Sequence, residues 1–264
     1  MKQILAKLFV VAALLLAGDY GIGQPVPKKM DLYLLVGQSN MAGRGKVSEL
    51  KSEEERAGIW VINEKNEWVP ARDPLHYDKP AAVGVGPGLS FARAVHAKEP
   101  EKSIGLIPCA VGGSGIDDWK TGVKHGQTGI YAYDAMLLRV KEAKKHGKIK
   151  AILWHQGESD SSPEKNGVYE EKLAAFFALL RKETGSKKTP IILGTLGDFY
   201  VSKKPDAAKI NQIMHHYASR HKNVYVVSSS GLKDLGDGTH FNTESAQELG
   251  KRYAEVYLKM AGSK

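Results

Sequence analysis

"DLYLLVGQSNMAGRG", residues 31–45, carries a continuous apolar run that stops at Gly37 and gives way to Gln38, Ser39 and Asn40 side by side. An apolar run without polar alternation reads as a strand covered on both faces, the condition of a parallel sheet. Four further runs share this character: "SIGLIPCAV" (103–111), "IKAILW" (149–154), "PIILGTLG" (190–197) and "NVYVVSS" (223–229). Helix-like segments lie between and after them, at 89–98, 130–147, 168–183, 206–220 and 243–260. Strand and helix in alternation predict an α/β protein with a mainly parallel five-stranded sheet and helices on both faces. In such a sheet ligands bind beyond the carboxyl ends of the strands. The polar residues that follow Val36 therefore stand where a site is expected.

The chain opens with two lysines, Lys2 and Lys7, ahead of an apolar stretch from Leu8 to Ala17, then small residues to about Gly23. This has the form of a secretory signal peptide over residues 1–24. The apolar stretch is too short to span a membrane, which takes roughly 20 residues. Residues 25–264 are then one domain, of ample size for a single core, and a secreted or periplasmic location follows. The sole cysteine, Cys109, allows no internal disulfide and sits in an apolar run, as a buried structural thiol does. The formal charge of +9 comes from lysines in short scattered groups. Without aromatic-interleaved basic motifs these are solvated surfaces, and nucleic acid is not an expected partner.

Residues 44–87 interrupt the alternation. They hold "IWVINEKNEWVPA", a hairpin pattern turning around Glu64 to Asn66, and read as a lid or pocket wall. "GVGPG" lacks the last glycine of a dinucleotide fingerprint and follows a loop, so it reads as the turn into the next helix.

Four polar clusters fall at strand ends or before the last helix: "GQSN", "VGGSGIDDW", "HQGESD" and "DGTHF". A serine attacks only when a base takes its proton and a third group orients that base. For Ser39, "DGTH" offers His240 as base and Asp237 as orienting acid. Backbone N–H groups at Gly112 and Gly113, the Ser39 amide and the Gln156 side chain are candidate oxyanion donors. Ser114 and Ser159 are weaker nucleophiles because neither opens a strand-to-helix turn so cleanly. The GxSxG elbow is absent, with Met41 in its last place. His155, Glu158 and Asp160 share one loop but lack metal-site spacing, so no metal is expected.

"GQSNMAGRG", "PLHYDKPAAVGVGPGLSFA", "IGLIPCAVGGSGIDDW", "ILWHQGESD" and "DGTHF", in that order, resemble the blocks of the carbohydrate esterase family six and sialate O-acetylesterase-like group of SGNH hydrolases. The resemblance runs from about Asp31 to Tyr257. It implies a flavodoxin-like three-layer α/β/α fold and removal of acetyl groups from sugars without a cofactor. By position, Ser39 is the implied nucleophile, His240 the base and Asp237 its orienting acid. Glu158 is an alternative acid or a support for the Gln156 loop. Gln156 itself stands where the wider group carries asparagine.

The expected substrate is an acetylated polysaccharide, foremost acetylxylan, with selectivity set by the lid and by Trp119 and His76. An esterase for O-acetyl sialate, or a non-catalytic carbohydrate-binding protein on the same scaffold, are the alternatives.

Overall fold

Each of the five apolar runs forms a strand, and a hairpin adds two more. The computed structural model describes residues 25–50, 58–185 and 187–262; the expected leader lies outside them. In chain order the elements are β1 (Met30–Gly37), α1 (Ser39–Ala42), β2 (Ile59–Ile62), β3 (Trp68–Pro70), α2 (Pro87–Lys98), β4 (Ile104–Pro108) and α3 (Ala132–Ala143). There follow β5 (Gly147–His155), α4 (Pro163–Thr184), β6 (Ile191–Gly194), α5 (Asp198–Lys203), α6 (Ala207–Arg220), β7 (Val224–Val227) and α7 (Thr243–Gly262). No described helix is long and apolar enough to cross a membrane.

The sheet has seven strands in the order β3-β2-β4-β1-β5-β6-β7, against the five expected. All neighbours are parallel except β2 and β3. The extra pair is the hairpin of the insertion. Rather than forming a lid, it docks beside β4, with Ile59 opposite Ile104 and Trp60 opposite Gly105. Gly105 makes this possible, because a Cβ there would meet the side chains of Leu32 and Trp68. A hairpin pattern reports a local turn, and nothing local says which sheet edge it will join. Without the hairpin, the strand order is that of flavodoxin-like sheets, whose ligands bind where the first and third parallel strands diverge. Here those strands are β1 and β5.

β1 shows why the apolar runs are continuous. Leu32, Leu34 and Val36 face one core, shared with Met136 of α3, Phe177 of α4 and Met214 of α6. Tyr33 and Leu35 face the other, with Phe91 of α2 and Tyr253 of α7. Burying each large apolar side chain contributes about 1.5–3 kcal/mol, and both faces of the strand gain it. The helices thus form two outer layers. α4 starts five residues ahead of the expected 168, with Pro163 at its first turn after Ser162, a position where proline's missing N–H costs nothing. α2 starts at Pro87 after Gly86, as "GVGPG" predicts. The six-residue α5 is too short to register as a helical period.

Candidate active site

Ser39 is the first residue of α1 and sits directly beyond β1. It lines a pocket of about 750 Å³ together with Gln38, Gly112, Gly113, Asp237 and His240. His240 reaches it from the loop before α7, with Nε2 2.9 Å from Ser39 Oγ. On the other side of the ring, Nδ1 lies 2.6 Å from Asp237 Oδ2. The "DGTH" loop builds this geometry on itself, because Asp237 Oδ1 also accepts the backbone N–H groups of Thr239 and His240. Partial burial pushes the Asp237 carboxyl upward, yet these donations from His240 and Thr239 outweigh it and leave the group below the usual range. An ionised Asp237 can only accept, so the ring proton belongs on Nδ1. The Nε2 lone pair then faces the serine hydroxyl, the arrangement a general base requires.

Two expected oxyanion donors are committed elsewhere. Gln156 is fully buried, and its Nε2 donates to Asp160 Oδ2 at 2.6 Å, Ser114 O at 3.1 Å and Gln38 Oε1 at 3.2 Å. Its Oε1 accepts from Tyr169. The Gly112 N–H donates to the buried Asp78 Oδ2 at 2.7 Å. Both are corrections to the sequence expectation, and both have one cause: buried donors are paired wherever an acceptor lies near. The Ser39 and Gly113 amides remain on the pocket wall without a protein acceptor among the described residues. Gly113 has φ +87°, a left-handed backbone that suits glycine.

A family model described as carbohydrate esterase, sialic acid-specific acetylesterase matches residues 29–259. The chain belongs to that family. This carbohydrate esterase family member is 32% identical over 260 residues to a "probable carbohydrate esterase" of Arabidopsis thaliana, covering 90% of this chain and 93% of that one. An X-ray structure of an Arabidopsis thaliana protein superposes with a TM-score of 0.78 at 30% identity, covering 88% of this chain and 98% of that chain. The crystal structure of NanS shares the fold, with a TM-score of 0.72 at 16% identity over 90% and 99% of the two chains.

In this esterase family member the neighbours of Ser39 carry structural tasks whose partners lie far away in the chain. Asn40 Nδ2 donates to Thr239 O at 3.0 Å and to Glu158 Oε1 at 2.6 Å, while its Oδ1 accepts from Phe241 N at 3.1 Å. It therefore grips the chain on both sides of His240. Gln38 Oε1 accepts from Gln156 Nε2 and lies 3.3 to 3.4 Å from the amides of Ser159 and Gly157, tying β1 to the loop after β5. Contacts across 118 to 201 residues leave no trace in local pattern. Glu158 lines the pocket, and burial raises its carboxyl to about 7 despite the Asn40 hydrogen bond. It touches Asn40 rather than His240, so it does not replace Asp237 as the histidine's partner. Nearby His155 is fully buried, which lowers it to about 3 and keeps it neutral.

The remaining expectations sort by burial. Trp119 is 1% exposed and packs on Trp154 and Phe176, and His76 is 4% exposed, so neither faces a substrate. The 44–87 insertion does supply part of the pocket wall, through Arg44 and Lys79, and Tyr200, Lys203 and Lys204 supply more; Arg44 is paired with Asp78. Ser114 is fully buried and accepts from Trp119 Nε1; Ser159 lines the pocket but donates to Gly113 O. Burial lifts the Cys109 thiol to about 11, well above the range of a reactive thiolate. Asp160 Oδ2 is occupied by the Gln156 amide and the Ile116 N–H, so this acid ties its loop to the segment after β4.

Proposed function

We propose that the protein is an exported serine acetylesterase that removes O-acetyl groups from carbohydrate. The observation that carries this reading is the continuous chain Asp237–His240–Ser39, with links of 2.6 and 2.9 Å, at the wall of an open pocket. Ser39 attacks the acetyl carbonyl as His240 Nε2 takes the hydroxyl proton. The oxyanion rests on the Ser39 and Gly113 amides, and His240 then protonates the departing sugar oxygen. Water releases acetate by the same steps. Asp237 remains ionised and stabilises the imidazolium throughout.

On the sugar, acetylated polysaccharide of the acetylxylan type fits an open pocket with room around the acetyl group. The lysines at 79, 203 and 204 favour a carboxylate-bearing substrate over a neutral one, which supports O-acetyl sialate as a second reading. The deciding experiment is an acetate-release panel of acetylated glucuronoxylan, acetylated pectin, O-acetyl sialic acid and p-nitrophenyl acetate. Ser39→Ala should lower kcat by roughly four orders of magnitude on every active substrate. Near-normal turnover by the folded variant would overturn the mechanism. Sugar binding without any turnover by the unmodified protein would favour the carbohydrate-binding alternative.

A further inference from the structure

A second concavity of about 490 Å³ lies between α4 and α6, walled by Asn166, Glu170, Lys209, Gln212, Ile213 and His216. That volume is within the range of small-molecule sites, about 300–1,000 Å³. Asn166 is 9% exposed and donates from Nδ2 to Asp206 O at 3.1 Å, but its buried Oδ1 has no partner. Buried acceptors are seldom left unpaired, because the lost hydration is not returned. Glu170 is held 3.9 Å from His216 Nε2 and 3.8 Å from Arg220 Nη1. The Lys209 and Gln212 side chains make no such contact among the described residues. The groove thus offers an acceptor at Glu170, donors at Lys209 and Gln212, and an apolar strip at Ile213, above the buried Asn166. A pyranose has the matching chemistry, hydroxyls that both donate and accept around an apolar ring face. Glu170 argues against a simple anion, and four polar side chains argue against an apolar ligand.

The groove and the Ser39 pocket have no lining residue in common, but two chain segments lead from one to the other. Ser159 and Lys204 line the pocket, while Lys165 Nζ donates to Ser159 O at 2.7 Å and Asn166 binds Asp206 O. Segments 159–166 and 204–209 therefore each have one end at the pocket and the other at the groove. We infer that the α4–α6 groove is a distal saccharide subsite that holds another sugar of the chain whose acetyl group is presented to Ser39. This rests on the carbohydrate esterase reading of the Ser39 pocket.

Gly167 supplies the test, because a Cβ there would meet nothing within 4 Å and a large side chain can fill the groove without displacing the core. In Gly167→Trp, the ratio of kcat/KM on acetylated glucuronoxylan to that on p-nitrophenyl acetate should fall about tenfold, through a higher KM for the polymer. In the double variant Lys209→Ala, Gln212→Ala the ratio should fall about threefold or more. An unchanged ratio in variants that unfold cooperatively would overturn the subsite. If the unmodified protein releases no acetate from any carbohydrate, the esterase reading fails on its own. Electrophoresis through gels containing deacetylated glucuronoxylan then decides the groove separately: retardation lost in Gly167→Trp supports it, and equal mobility of the two proteins overturns it.

Discussion

Three consecutive side chains after β1 point to three different partners, and their division of labour explains the composition of the turn. Ser39 meets His240, Asn40 grips the backbone on either side of that histidine, and Gln38 fastens the loop that carries Glu158. Glu158 is the costly member. Its carboxyl is raised from an ordinary 4.5 to about 7 by burial, and Oε2 has no partner. A group whose folded value is raised contributes its stability in full below the unfolded value and loses it as pH climbs through the folded one. The loss therefore falls between about pH 4.5 and 7. Glu158→Gln keeps the acceptor for Asn40 and cannot ionise. Its stability relative to the unmodified protein should rise by on the order of 3 kcal/mol between about pH 4 and pH 8. Taking the difference between the two proteins cancels the titration of His155 to first order. Urea unfolding at both pH values measures this, and a pH-independent difference would mean that Glu158 ionises as an exposed carboxylate does.

At the scale of elements, the layer beneath the site depends on how closely α2 and α7 approach. A Cβ at Gly250 of α7 would overlap Ser90 Oγ and the Pro87 carbonyl of α2, with the Phe91 nitrogen 2.9 Å away. Two of those three atoms belong to backbone and cannot rotate aside. Gly250→Ala gains helix propensity of about 1 kcal/mol, but forcing the helices apart should cost more, for a net loss of about 1–3 kcal/mol in urea unfolding. A neutral or stabilising outcome would show that the helix pair slides freely. The same scale explains why the hairpin adds two strands to the expected five. The expected hairpin exists, turning on Asn63, whose Oδ1 accepts the amides of Lys65 and Glu67. Its place at the sheet edge came from Gly105, forty residues further on, where the absent side chain leaves room for Trp68.

Across the whole molecule, a formal charge of +9 is spread over the chain, yet lysines 79, 203 and 204 converge on one pocket mouth. A field of that sign raises the encounter rate of anionic substrates and is screened by salt, with a Debye length of about 10 Å at 0.1 M and about 3 Å at 1 M. Raising NaCl from about 0.05 to about 0.5 M should lower kcat/KM several-fold on acetylated glucuronoxylan or O-acetyl sialate. The neutral p-nitrophenyl acetate should change little. Equal salt response for charged and neutral substrates would remove the electrostatic part of the substrate proposal.

The sequence by itself determined the layered α/β class, because strands buried on both faces must be apolar throughout, as β1 is. It favoured the pairing of Asp237 with His240, since a three-residue spacing lets one short loop build that contact, but left Glu158 as the alternative until the fold set Asp237 Oδ2 2.6 Å from Nδ1. The meeting of His240 with Ser39 was legible only as a complement of chemistries, from residues 201 positions apart. Only the tertiary structure decided the use of the buried polar groups. Gln156 and the Gly112 amide looked like free donors in the chain, and became fully engaged once Asp160, Gln38 and Asp78 were folded against them. Trp119 likewise went to the core, where its apolar area is worth more than at the pocket rim. Local pattern reports what a residue can do, and the partners that the whole fold brings to a buried polar group settle what it does.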